Sequence, residues 1–292
     1  MLYNMTTSTG IISNFLENRI AQKALGGPDT GGGVYIPPED LFVTVYGSIN
    51  GAEDADTGYE ITDGYIPPHA RAAFGDILID NYTLSNSEII NFDETQVDWG
   101  TVYGWGLKDS SAGGNLLFWG LFDASIDIPI GQSLRIDAGN LAIKFASPNT
   151  TYGGWTSFSA NEMLKWFANV GSFDWTVSGT SLALGNNVIV NNTTDNIFSS
   201  WTEISTNGTG YTRQLIPRDA WTVPSDGICK NANQIIFTSV ATANWGVVSD
   251  VVLYDTVDGT HPLFWGHLTT PVTINAGDGF KIATWGLQIQ FS

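Results

Sequence analysis

Two spacings of apolar side chains alternate along this chain. From Asn14 to Leu25, the positions Phe15, Leu16, Ile20, Ala24 and Leu25 share one face at helical spacing. Asn14 and Glu17 match a capping box, and Gly26-Gly27-Pro28 stops the run, since Gly accepts the left-handed C-terminal conformation and Pro cannot continue a helix. The same signature predicts a second helix over Ser159–Val170, with Ser159 and Glu162 as the box and Gly171 as the stop. The two helices align at an offset of 145, which sets Ile20 against Lys165 and implies diverged packing faces. Elsewhere the apolar runs are short. Leu41–Tyr46 and Leu116–Phe122 are apolar on both faces, as interior strands are. Strands are predicted at 101–108, 115–122, 133–137 and 140–146, with turns at Ser110–Gly114 and Pro129–Gln132.

The strand pattern occurs twice. Shifted by 146 residues, Trp99–Phe145 lies on Trp245–Phe291 without a gap, and 16 of the 47 positions are identical. The shared positions include Trp99/Trp245, Gly100/Gly246, Asp109/Asp255, Gly131/Gly277 and the run Leu117-Phe118-Trp119-Gly120 against Leu263-Phe264-Trp265-Gly266. A gapless match of this length marks internal duplication. The expected organisation is an N-terminal arm (1–12), a first unit (13–147), a Pro/Gly/Thr linker (148–158) and a second unit (159–292). The expected fold is all-β, mainly antiparallel, with two tandem β-sandwich-like domains, each preceded by a short α-helix. Trp175–Val190 and the Asn/Thr-rich stretch 186–196 have no evident counterpart in the first unit and read as an exposed insertion.

Composition narrows the function classes. Only 14% of residues are charged, and the net charge of −18 opposes binding to nucleic acid or an anionic membrane. The single cysteine, Cys229, excludes an internal disulfide. No apolar run approaches the roughly 18–20 residues of a membrane span, and the first residues lack the basic-then-apolar order of a secretory signal.

Candidate chemistry is sparse. His261 and His267 share one strand face if side chains alternate, but a third metal ligand is not evident, and His69 stands apart. Asp54 and Asp56, within the acidic set Glu53, Asp54, Asp56, Glu60 and Asp63, resemble a fragment of a calcium loop without its further ligands. Asp109 and Asp255 recur before turns, where an Asp commonly accepts backbone N–H bonds. No carboxylate pair, nucleophile motif or phosphate loop emerges, so neither an enzyme nor a cofactor is expected. Trp99, Trp119, Trp245 and Trp265, with Phe118 and Phe264, read as repeated core anchors. Trp105, Trp155, Trp201 and Trp221 are not shared between the copies and are the candidates for exposed, ligand-stacking rings.

The order of these features resembles a family of small bacteriophage structural proteins of the tail-fibre or head-decoration type. The resemblance rests on the capped helix from Asn14, the strand Leu41–Tyr46, the segment Gly210-Tyr211-Thr212-Arg213 and the distal block from Trp99 and again from Trp245. The first unit has Gly64-Tyr65 but no Arg two places on; Arg71 lies further along. The resemblance implies a non-enzymatic virion protein that decorates the capsid or joins a fibre to the tail. Its partners would be major capsid or tail proteins and further copies of itself. The alternative from the residues themselves is a carbohydrate-binding module that uses exposed Trp.

Overall fold

The computed structural model describes residues 2–4, 8–25, 35–49, 58–62, 72–73, 77–80, 83–144, 153–168, 179–187, 201–222, 227–255 and 261–291. It is mainly antiparallel β and holds two repeated domains, each preceded by a short helix.

In the first unit β3 (Phe42–Ser48), β9 (Gly100–Lys108) and β10 (Leu116–Ile128) form the antiparallel centre. In the second, β14 (Gly179–Asn186), β19 (Gly246–Tyr254) and β20 (Pro262–Ile274) take these places. The β9–β10 register carries over to β19–β20 residue for residue. Even the irregularity is kept: the pairing jumps from Leu121↔Gly104 to Ile126↔Val102 in one copy and from His267↔Asp250 to Val272↔Val248 in the other. A bulge kept through duplication bends the hairpin at one set point. Gly100 and Gly246 open β9 and β19 at φ 67° and 77°, which explains why a Gly follows each repeated Trp.

Smaller pairs repeat as well. In the first unit β7 (Thr83–Asn86) pairs β12 (Leu141–Lys144), and β8 (Ile90–Asn91) pairs β11 (Ser133–Ile136). Their counterparts are β17 (Ile228–Lys230) with β22 (Gln288–Gln290), and β18 (Ile235–Thr238) with β21 (Phe280–Ile282).

Four expectations are corrected. The N-terminal arm is sheet: β1 (Leu2–Asn4) runs parallel to β11, and β2 (Ser8–Ile12) lies between β10 and β12. The stretch read as linker includes β13 (Gly153–Trp155), which pairs with β20. Trp175–Val190 is not an insertion throughout, because β14 is the counterpart of β3. Leu182 faces Leu253 as Val43 faces Leu107, an offset of 139 that the 146 frame conceals.

The fourth correction concerns the helices, α1 (Asn14–Leu25) and α2 (Ser157–Ala168). Their caps are Ser13 and Thr156. Ser13 Oγ accepts the Leu16 N–H at 3.3 Å and donates to Leu116 O at 2.6 Å, while Ser13 N donates to Leu117 O at 2.9 Å. Thr156 Oγ1 accepts the Ser159 N–H at 3.2 Å and donates to Pro262 O at 2.5 Å, and Thr156 N donates to Leu263 O at 3.0 Å. Ser159 Oγ accepts the Thr156 N–H at 3.1 Å, so a Ser closes the box usually closed by Glu or Gln. Each cap therefore also fastens its helix to the central strand of its own unit. The helices align at 143, not 145. Ile20 then falls on Met163, Ala21 on Leu164 and Ala24 on Phe167, all buried, so the packing face is kept.

That face lies between the two units. α1 packs on β10 and also on β17 of the second unit. α2 packs on β20 and also on β6 (Ile77–Asp80) of the first. Phe167 of α2 meets Phe118 of β10 edge-on, with ring centroids 5.0 Å apart. Polar contacts cross beside them: Gly227 N donates to Asn18 Oδ1 at 3.0 Å, and Arg218 Nη2 donates to Gln22 O at 3.2 Å. Gly227 has φ 66°, and a Cβ there would stand 2.4 Å from Phe291 O and 2.5 Å from Glu17 Oε2, so the approach of α1 requires glycine. One continuous set of buried side chains runs through both units.

Removing a buried Phe from such a junction forfeits its burial and leaves a cavity. Phe167→Ala is expected to cost about 3–5 kcal/mol. Denaturant unfolding should still show one transition, displaced to lower denaturant; two separate transitions would show that the units fold independently.

Candidate functional site

Five of the six repeated anchors are buried. Trp99, Trp245, Phe118, Phe264 and Trp265 are buried, and Trp119 is half-buried. Trp245 Nε1 donates to Thr209 O at 2.9 Å, and Trp99 meets Phe92 edge-on at 6.0 Å. The unshared Trp residues do not form an exposed platform. Trp105 and Trp221 are buried and Trp201 is half-buried, which corrects the stacking expectation for these rings. Trp105 lies over Gly120, where a Cβ would come within 2.8 Å of its ring, and Trp201 covers Gly185 in the same way at 2.7 Å. A ring laid over a strand glycine shields backbone that has no side chain of its own. The Trp155 side chain lies outside the described residues.

Several ionisable groups pair within the fold. In the first unit Glu60, on β4 (Tyr59–Glu60), accepts from Thr44 Oγ1 at 2.6 Å and lies 3.1 Å from Lys108 Nζ. Glu203, on β15 (Thr202–Glu203), holds the same sheet position: it faces Gly185 as Glu60 faces Tyr46. Its cation comes from elsewhere, because Tyr254 stands where Lys108 would. Arg213 supplies the charge, with Nε and Nη2 donating to the two carboxylate oxygens at 2.8 and 2.7 Å, and its guanidinium lies 4.0 Å over the Tyr254 ring. Tyr211 OH donates to Glu203 Oε1 at 3.0 Å and accepts the Leu184 N–H at 2.9 Å. The Gly-Tyr-x-Arg segment thus converges on one carboxylate. Its hydrogen bonds to Glu203 raise the Arg213 pKa against the effect of burial. Burial raises the Tyr211 pKa, and Glu203 adds to the rise.

The histidines part company rather than converge. His267 Nδ1 bonds Asp250 Oδ1, whose other oxygen accepts from Ser249 Oγ at 2.7 Å. His261 Nδ1 lies 3.1 Å from Asp255 Oδ2. Asp109, the counterpart of Asp255, accepts the Asn115 N–H at 2.6 Å and Asn115 Nδ2 at 2.8 Å, as expected of an Asp that closes a turn. It also accepts Tyr35 OH at 3.1 Å. Among the described residues no group of three or more His, Cys, Asp or Glu is placed to hold a metal ion, and no helix is long and apolar enough to cross a membrane. His69, Glu53, Asp54, Asp56, Asp63, Gly64, Tyr65 and Arg71 lie outside the described residues.

A repeated clasp went unnoticed in the sequence. Asn86 Nδ2 donates to Glu88 O and Asp137 O at 2.6 and 3.0 Å, its Oδ1 accepts the Leu141 N–H at 3.0 Å, and its backbone O accepts the Gly139 N–H at 2.7 Å. Asn231 makes the same four bonds, to Asn233 O, Ala283 O, Leu287 N and Trp285 N, at 2.6 to 2.9 Å. Each buried partner left unpaired would cost about 1–3 kcal/mol. The only sequence signal is one Asn kept at an offset of 145.

The clasp sets the residue that follows in the turn. Gly139 takes φ 77° in the first unit; in the second the position is Trp285, at φ 62° and 66% exposed. Tyr59, Leu121, Ile130 and Val240 are other large apolar side chains left exposed.

Comparison with known families gives one result. The model of the family described as podophage GP4 fiber I protein gp80 matches the chain twice, over residues 11–144 and 157–290. The chain belongs to this family, as a tandem duplication of its unit. No curated protein matches it.

Burial raises the pKa values of Tyr35, Tyr211 and Tyr254 above the ordinary phenol value near 10. A pKa raised by folding contributes stability that is fully present below the unfolded value and is lost as pH rises through the folded one. Stability should therefore hold up to about pH 10 and fall above it. In an absorbance titration these three phenols should ionise later than exposed tyrosines, together with unfolding; ionisation of every tyrosine near pH 10 with the fold intact would contradict the burial.

Proposed function

We propose that this chain is a non-enzymatic structural component of a podophage tail fibre, bound to other tail proteins and to further copies of itself. The observation that carries this reading is the presence of two copies of the fibre-family unit across one shared core. A core that joins both units suits a part that transmits load between neighbours rather than one that opens around a substrate. The charge pairs point the same way. Glu60 with Lys108, Glu203 with Arg213, Asp250 with His267 and Asp255 with His261 spend their carboxylates on the fold. The disulfide-free, acidic composition suits assembly in a bacterial cytoplasm. The exposed Trp285 favours a second role for the same fibre, contact with a cell-surface saccharide.

Purified particles labelled with an antibody against the chain test this assignment by electron microscopy. Label on the tail fibres, lost when tails are sheared from heads, is expected. Label on the head shell would replace the fibre reading with capsid decoration. Protein that stays at the top of a density gradient, free of particles, would overturn a virion role.

A further inference from the structure

We propose that the turn between β21 and β22 is a binding site for an acidic saccharide, with Trp285 as its stacking ring. This rests on the reading of the chain as part of a fibre.

Trp285 occupies a left-handed backbone position, at φ 62°, which disfavours a bulky side chain. The same position in the first unit holds Gly139, whose Cβ direction is open space. The Asn231 clasp imposes the conformation, so a Gly would serve the fold here as it does in the first unit. With the indole 66% exposed, burial offsets little of the strain. Strain kept without a gain in packing points to a use outside the fold.

The surroundings define the ligand. Asn231 binds the backbone of both Asn233 and Ala283, which brings the 233–234 turn beside the 283–286 turn. Asn233, Gln234, Thr284 and Gln288 are exposed there and offer amides and a hydroxyl to sugar hydroxyls. In a chain with net charge −18, residues 227–249 and 279–291 contain no Asp or Glu, and they carry Lys230 and Lys281. These segments pair as β17 with β22 and β18 with β21. The equivalent first-unit segments hold Glu88, Asp93, Glu94, Asp98 and Asp137, so acid-free segments belong to the second unit alone, with Asp219 and Asp278 beside them. An indole, an amide rim and two ammonium groups fit a sugar ring that bears a carboxylate.

The test uses the full chain with 15N-labelled tryptophan. Trp285→Gly identifies the Trp285 indole signal by its loss. Trigalacturonic acid should shift that signal in a saturable way, and maltotriose should not. Lys230→Gln with Lys281→Gln should weaken binding at least tenfold, and Trp285→Gly should abolish it with no fall in melting temperature. No shift with either sugar, or binding that survives Trp285→Gly, would overturn the site. A marked fall in melting temperature would show that the indole serves the fold instead. An equal response to maltotriose would overturn the acidic ligand. The fibre assignment stands or falls separately, on where the chain sits in the particle.

Discussion

The structure depends on the junction where each unit's helix is pinned to its own central strand and packed on its neighbour's sheet. Ser13 and Thr156 make this possible, because each hydroxyl caps a helix and bonds a carbonyl of the strand that enters the Leu-Phe-Trp-Gly run. The caps fix the direction in which α1 and α2 leave the sheets. The buried stripes Leu16, Ile20, Ala21, Ala24 and Met163, Leu164, Phe167 then have one place to go. Covering those faces is the main apolar gain available to either helix, since isolated 12-residue helices are marginal in water.

Around this junction the two copies keep backbone geometry and exchange side-chain partners. The bulge in the long hairpin, the left-handed Gly100 and Gly246, and the Asn86 and Asn231 clasps are the same in both. The carboxylate on the edge strand is kept, while its cation moves from Lys108 to Arg213. A backbone hydrogen-bond pattern has few substitutes, whereas a charge can be supplied from any strand within reach. Trp285 in place of Gly139 departs from this rule, since it strains a conserved backbone feature.

Much of the fold was legible because the duplication doubled every signal. The strands of the Trp99–Phe145 block and the first helix stand within a few residues of their expected places, and β10 alone runs well beyond its expected end, to Ile128. The losses came where the offset between the two copies changes along the chain. Helices align at 143, so Ile20 was set against Lys165 instead of Met163, and β14 aligns at 139, so it was left without a counterpart. The caps were misplaced because Asn14 and Ser159 are as good cap residues as Ser13 and Thr156; only the contact with Leu116 O and Pro262 O, a hundred residues away, decides between them. Trp105 and Trp201, expected on the surface, instead lie over the strand glycines Gly120 and Gly185, which no local pattern announces. Trp285 drew no notice, since its interest lies in a backbone angle.

Two fibre-family units share one core, and the fibre role proposed for the chain relies on their acting as a single mechanical piece. Cys229 reports it directly: it is buried in β17 against α1, and burial pushes its thiol up to about 12. The measurement is the rate of native-state thiol labelling of Cys229 in the wild-type chain and in Phe92→Ala, a core change confined to the first unit. If the core is shared, loss of about 3 kcal/mol there should speed labelling on the order of a hundredfold, because the second unit opens with the first. Labelling at the wild-type rate, with the first unit destabilised, would show two units that stand and fall apart.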